Sequence, residues 1–119
     1  MIVVNRFRVS AWEQEEFRTD LERAREALAV QRGFRCGRIG RNVDDPELWT
    51  LVTEWEGPGA YRRALSAYDV KLTAVPTLSR ALDEPSAYES VEPGETLNVG
   101  EPRGSAGGRS APVAKGSLG

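Results

Sequence analysis

Apolar and polar positions alternate at the start of the chain and then recur at helical spacing. The alternation covers residues 2–9 and predicts a β-strand, one face of which carries Val3, Asn5, Phe7 and Val9. A helical stripe follows, formed by Phe17, Leu21, Ala24 and Leu28. The stripe predicts a helix over about residues 11–31, with a capping box of Ser10 and Glu13 at its start and Gly33 just past its end.

The remaining elements are predicted in the order strand, strand, helix, strand. Residues 34–43 and 47–56 predict two strands, and Gly37 and Gly40 mark a bulge or a close approach in the first of them. Residues 58–82 predict helical turns that break near Pro76, and residues 86–91 predict a last strand. The order β-α-β-β-α-β predicts an α+β, ferredoxin-like fold, with one antiparallel sheet and its helices on one face.

The first three predicted strands carry apolar residues on both faces. One face packs on the helices, and the chain has no further element to cover the other. We therefore expect a homodimer in which a second sheet provides the cover. A monomer with one solvated sheet face is the alternative.

Composition divides the chain near Pro93. Residues 1–92 contain every aromatic side chain, whereas residues 93–119 are rich in Gly, Pro and Ser. A segment with so little apolar surface cannot offset the entropy lost on ordering it. We expect a folded domain over residues 1–92 and a disordered tail over residues 93–119.

Charge and residue usage exclude several classes of function. The chain of 119 residues has a formal net charge of −2, and no apolar run approaches the roughly 20 residues that span a bilayer. We therefore expect neither membrane nor nucleic-acid partners. Cys36 is the only cysteine, and no signal peptide is visible, so a cytoplasmic location is expected. The absence of histidine excludes His-based general-base catalysis and His-ligated zinc or haem. No metal site and no cofactor motif are predicted.

The segment from Leu51 to Arg62, Leu-Val-Thr-Glu-Trp-Glu-Gly-Pro-Gly-Ala-Tyr-Arg, resembles the antibiotic biosynthesis monooxygenase superfamily, as does the opening Ile-Val-Val-Asn at residues 2–5. The resemblance covers about residues 1–92. It implies a dimeric α+β barrel. The superfamily includes cofactor-free oxygenases that turn aromatic polyketides into quinones, haem-degrading enzymes and quinol monooxygenases.

Two branches of this superfamily can be compared residue by residue. Asn5 and Trp55 match the pocket residues of the haem-degrading branch, but its haem-ligating His would fall near Ala74 and is absent. Trp55 and Tyr61 match the anthrone-oxidising branch, whose pocket Asn is replaced here by Leu51. The His and Arg of that branch have no clear match.

The resemblance makes Trp55, Tyr61 and Asn5 the candidate catalytic residues. Trp55 is either a core aromatic or a platform that stacks a flat ligand and donates its indole N–H to a ligand oxygen. Tyr61 either packs its helix on the sheet or donates its hydroxyl to a substrate oxygen. Asn5 is either a satisfied core amide or a residue that orients the ligand.

Trp49, Tyr68 and Arg38 are the candidate substrate-binding residues. Arg38 is expected to face the same way as Phe34 and Cys36. An exposed arginine at the sheet edge is the favoured interpretation, and contact with an anionic ligand is the alternative that makes it a site candidate. Trp12 is expected to pack at the start of the first helix. Cys36 is expected to be a small buried hydrophobe.

These inferences predict a cofactor-independent monooxygenase that oxidises a flat phenolic, polyketide-type small molecule with O₂. Such chemistry asks the protein to exclude water, orient the ring and stabilise a phenolate or enolate. A non-catalytic binding or accessory protein on the same fold is the first alternative. A haem-binding relative is the second, and the missing His disfavours it.

Overall fold

The computed structural model describes residues 1–97 and contains the predicted ferredoxin-like architecture. Its elements are β1 (Ile2–Arg8), a 3-10 turn (Ala11–Glu13), α1 (Gln14–Ala29), β2 (Phe34–Arg41), β3 (Leu48–Trp55), α2 (Pro58–Ser66), α3 (Tyr68–Thr73), α4 (Val75–Leu78) and β4 (Ala87–Tyr88). The strands form one antiparallel sheet in the order β2-β3-β1-β4, with the helices on one face. Residues 98–119 of the predicted tail lie outside the described residues.

The core lies between the helices and one face of the sheet, which we call the helix-facing face. Burial alternates strictly along β1 and β3, as the sequence pattern predicts. The two strands are paired in register, with Phe7 opposite Trp49 and Val3 opposite Thr53. The α1 stripe that contains Phe17 and Leu21 is fully buried against this face.

The start of α1 differs from the predicted capping box. Ser10 makes no side-chain hydrogen bond to the helix, because residues 11–13 form a 3-10 turn in which the Glu13 N–H bonds the Ser10 carbonyl at 2.9 Å. The Glu13 carboxylate pairs instead with Arg80, at 3.3 Å. Trp12 was expected to pack on this turn, but 84% of it is exposed.

The segment that follows β3 is more broken than predicted. The helical turns are interrupted at Ala67, whose backbone is extended, as well as beside Pro76. The last strand is shorter than predicted, because of residues 86–91 only Ala87 and Tyr88 pair regularly with β1. Residues 82–86 also run along β1, where the Leu82 N–H, the Ser86 carbonyl and the Glu84 carboxylate bond it, whereas Pro85 has no N–H to donate.

A bulge in β2 decides which way its side chains face. The pairing shifts between Phe34, which lies opposite Trp55, and Cys36, which lies opposite Glu54. The extra residue turns Cys36 and Arg38 to the face away from the helices. The expectation that Arg38 faces with Phe34 was therefore wrong.

The expectation that Cys36 is buried was also wrong, because the bulge turns its side chain to the face away from the helices. Its side chain is exposed rather than buried, and its thiol donates to Glu54 Oε1 at 3.5 Å. This hydrogen bond raises the pKa of the Cys36 thiol, with a smaller contribution from desolvation. A raised pKa disfavours the nucleophilic thiolate.

The other sheet face, which we call the open face, carries apolar side chains that the helices do not cover. Four of them are half-buried: Ile2, Val4, Leu48 and Val52. They alternate along β1 and β3 with the residues that are buried on the helix-facing face. Val4 pairs with Val52 near the centre of this surface.

None of the helices in residues 1–97 combines the length and apolar character that a bilayer crossing requires.

We predict that the open face is a dimer interface. Light scattering at micromolar concentration should then report about twice 13.1 kDa. Val52→Lys should yield monomers, because it places a charge in the middle of the buried surface. Val43→Lys changes an exposed loop residue and should leave the dimer intact. A wild-type mass of one chain would contradict the prediction.

Candidate functional site

Three aromatic side chains meet where the end of β3 passes beneath α2. Trp55 contacts Phe34 edge-on, with ring centroids 5.2 Å apart and planes at 86°, and contacts Tyr61 at 5.3 Å and 54°. We call Phe34, Trp55, Tyr61 and the adjoining Asn5 the aromatic cluster. Trp55 is 0% exposed and Tyr61 is 4% exposed. The cluster is therefore a closed, largely apolar site inside the chain.

Local sequence brings α2 onto the sheet at this point. Pro58 occupies the first turn of α2, where its missing N–H costs nothing. Gly33 has φ of +90°, and a side chain there would collide with Ala60 of α2. A glycine is thus required both for the turn before β2 and for the close approach of α2. Tyr61, next to Ala60, is thereby held over Trp55.

Asn5 and Tyr61 form the polar part of the cluster. Burial raises the pKa of the Tyr61 phenol, and a hydrogen bond from the Asn5 side chain acts in the opposite direction. Burial is the larger effect, so Tyr61 stays protonated well into the alkaline range. Its hydroxyl is a neutral donor in a largely apolar site, with the Asn5 side chain near it.

The indole N–H of Trp55 already has a partner within the chain. Trp55 Nε1 donates to Thr53 Oγ1 at 2.8 Å, and both groups are buried. The two residues are two positions apart and therefore share the helix-facing face of β3. This geometry does not favour the expected role of Trp55 as an N–H donor to a ligand. The ring of Trp55 still forms a wall of the cluster.

Trp49 lies on the same face of β3 but at the other end of the strand. It lies six positions before Trp55, which corresponds to about 20 Å along a strand. It packs against Phe17 of α1 with ring centroids 5.8 Å apart. Its indole N–H is buried and has no hydrogen-bond partner among the described residues. Such a group costs about 1–3 kcal/mol when it stays unpaired.

The structure does not bring the other candidate residues to the cluster. Tyr68 begins α3 and is 75% exposed, and Arg38 lies opposite Val52 on the open face. Within residues 1–97, no group of three or more His, Cys, Asp or Glu side chains is arranged to hold a metal ion.

The sequence analysis missed Phe34 and Thr53 as parts of the site. Phe34 opens β2, and its place opposite Trp55 depends on the bulge. Thr53 lies two positions before Trp55 and therefore on the same strand face. A hydroxyl two positions before a buried Trp is the signal that would have revealed the hydrogen bond.

Comparison with known proteins identifies the family. Residues 1–73 match the sequence model of a protein family described as antibiotic biosynthesis monooxygenase. The chain belongs to the antibiotic biosynthesis monooxygenase family. The matched region contains Asn5, Trp55 and Tyr61, and membership supports a monooxygenase-like role. No curated protein sequence is significantly similar to the chain.

Solved structures share the fold. A variant of SnoaB, a cofactor-independent oxygenase from Streptomyces nogalater, is 25% identical with a TM-score of 0.61, and the match covers 81% of this chain and 94% of that one. A conserved protein from Methanosarcina mazei Go1 is 22% identical with a TM-score of 0.60, covering 72% and 84% of the two chains. Rv0793 from Mycobacterium tuberculosis is 13% identical with a TM-score of 0.62, covering 79% and 97%. The last two similarities bear on the fold alone.

We predict that Thr53→Val lowers the free energy of unfolding by about 1–3 kcal/mol, because it leaves the Trp55 N–H buried without an acceptor. Thr73→Val, at the exposed end of α3, should change it by no more than about 0.5 kcal/mol. Urea denaturation monitored by circular dichroism measures both. Equal stability of Thr53→Val and wild type would argue against the hydrogen bond.

We also predict an alkaline loss of stability that depends on Tyr61. Because its folded pKa is raised, the contribution of Tyr61 is fully present below the unfolded tyrosine pKa of about 10 and declines as the pH rises above that value. Urea titrations at neutral and alkaline pH should show a smaller decline for Tyr61→Phe than for wild type. An identical decline in both proteins would refute the assignment.

Proposed function

We propose that this protein is a cofactor-independent monooxygenase that oxidises a flat phenolic, polyketide-type small molecule with O₂. The observation that carries the proposal is the buried hydroxyl-bearing side chain of Tyr61, whose ring packs on Trp55 inside the aromatic cluster. Family membership and the similarity to an oxygenase described as cofactor-independent support it.

The proposed chemistry relies on the substrate's own electrons. An anthrone-type substrate loses a proton to give an electron-rich anion, which passes an electron to O₂. Overall, a ring CH₂ becomes a carbonyl, one oxygen atom of O₂ enters the product and the other leaves as water. The protein must then orient the ring, exclude water and stabilise the anion.

The residues of the aromatic cluster take these roles as follows. The Tyr61 hydroxyl donates to the substrate oxygen on which negative charge develops, and Asn5 fixes the direction of that hydroxyl. A tyrosine phenol is protonated at neutral pH, and burial raises the pKa of Tyr61, so the donor stays available into the alkaline range. The rings of Trp55 and Phe34 stack the flat substrate and contribute no N–H to it, because Thr53 holds the Trp55 donor.

The substrate must open the cluster to enter it. Trp55 and Tyr61 are almost fully enclosed, so α2 has to move away from the end of β3. The extended backbone of Ala67 separates α2 from α3 and provides the joint for this movement. We therefore expect binding to be coupled to a displacement of α2.

A non-catalytic small-molecule-binding protein is the second candidate, and two observations favour it. Leu51 occupies the position of the Asn in the oxygenase branch that the sequence resembles. Thr53 takes up the indole N–H of Trp55. Both features remove a donor that would otherwise face a developing anion.

Oxygen uptake with an anthrone tests the proposal, in buffer that contains a chelator and no added flavin or haem. The wild type should consume O₂. Tyr61→Phe should lower turnover by ~10²–10³, the loss expected for a donor to developing negative charge. Trp55→Phe should lose less, because its N–H bonds Thr53 and not the substrate.

Trp12→Phe is the control, because this side chain is exposed and lies outside the cluster. It should turn over like the wild type. Full activity of Tyr61→Phe would overturn the catalytic assignment. Saturable quenching of tryptophan fluorescence without O₂ uptake would favour the binding protein.

A further inference from the structure

A groove runs between α1 and the edge of the sheet formed by β2 and β3, away from the aromatic cluster. Its volume is about 400 Å³, within the range of small-molecule sites. The sheet contributes Ile39, Arg41 and Trp49, and α1 contributes Gln14 and Arg18. We call it the α1 groove.

Trp49 lines this groove, and its indole N–H is buried and unpartnered among the residues that the structure describes. Trp49 is 7% exposed, and its Nε1 finds no acceptor in residues 1–97. The contrast with Trp55 is informative, since both indoles lie on one face of one strand. Thr53 accepts from Trp55, whereas the residue two positions after Trp49 is the aliphatic Leu51. Because buried donors are almost always hydrogen-bonded, this N–H indicates an acceptor that the described residues do not supply.

Arg41 supplies a positive charge beside that donor. Its guanidinium lies 5.8 Å from the centre of the Trp49 ring. Its described partner is the neutral amide of Gln14, whose Oε1 accepts from Arg41 Nη1 at 2.9 Å. The groove therefore combines an arginine held by a neutral partner with an unpaired N–H, an arrangement suited to an anion.

The acidic residues of the groove are already engaged. Glu15 and Glu22 pair with Arg18, at 3.8 Å and 3.4 Å, on the exposed surface of α1. The four charged side chains of the groove sum to zero, but both carboxylates contact Arg18, and the described partner of Arg41 is the neutral Gln14.

We propose that the α1 groove binds a small organic carboxylate with an apolar body. The carboxylate takes the place of Gln14 on Arg41. Once these two side chains move apart, it accepts the buried N–H of Trp49, and the body lies against Ile39. A groove of about 400 Å³ is much larger than a carboxylate group, which leaves room for that body. This site is separate from the aromatic cluster, and the inference does not rest on the proposed function.

Indole N–H signals in ¹⁵N-resolved NMR test the proposal, with benzoate as the probe. The chain has 3 tryptophans, and Trp49→Phe assigns the signal of Trp49 by its loss. Benzoate up to ~10 mM should shift this signal saturably, as expected for a ligand of millimolar affinity. The signals of Trp12 and Trp55 should stay in place and report an intact fold.

Three comparisons determine whether the proposal holds. Benzamide has the same ring without the charge and should bind the wild type at least about tenfold more weakly than benzoate does. Benzoate should bind the Arg41→Gln variant at least about tenfold more weakly than it binds the wild type. Arg41 is exposed, so this substitution should leave the fold unchanged. No saturable shift with benzoate, or equal shifts with benzoate and benzamide, would overturn the proposal. Unchanged benzoate affinity in Trp49→Phe, followed through the amides of Ile39 and Gly40, would do the same.

Discussion

The helix-facing side of β3 carries two buried indoles, and the described part of the chain provides a hydrogen-bond acceptor for one of them. Thr53 satisfies Trp55, and this fixes the ring against Phe34 and Tyr61 under α2. Trp49, near the other end of the strand, packs on Phe17 with its N–H unpaired. About 20 Å of strand separates the two residues and their rings pack against different neighbours, so they belong to two separate sites.

This constraint changes what each tryptophan contributes to function. The ring of Trp55 forms a wall of the aromatic cluster, and the donor that we assign to the proposed chemistry is the hydroxyl of Tyr61, with Asn5 near it. Family membership supports a monooxygenase-like role, and the cluster is where the proposed chemistry takes place. A fold family alone does not assign roles to side chains, so Trp55 and Tyr61 had to be separated by their hydrogen bonds.

Sequence periodicity was sufficient to predict the fold, because alternation in β1 and β3 and the stripe on α1 each bury one continuous face. It failed where a single extra residue changed the direction of side chains. The β2 bulge moved Arg38 to the open face, and pattern alone cannot place an unpaired residue. Tertiary contacts also overrode the local signal at Ser10, whose capping partner Glu13 is held by Arg80.

Hydrogen exchange of the indole N–H groups tests the central claim most directly. Both Trp49 and Trp55 are buried, so burial alone would protect both. If only Trp55 is hydrogen-bonded within the chain, its N–H should exchange through global unfolding. The N–H of Trp49 should exchange much faster, through local movement of the Arg41 side chain. Equal protection of the two N–H groups, or faster exchange at Trp55, would contradict the account.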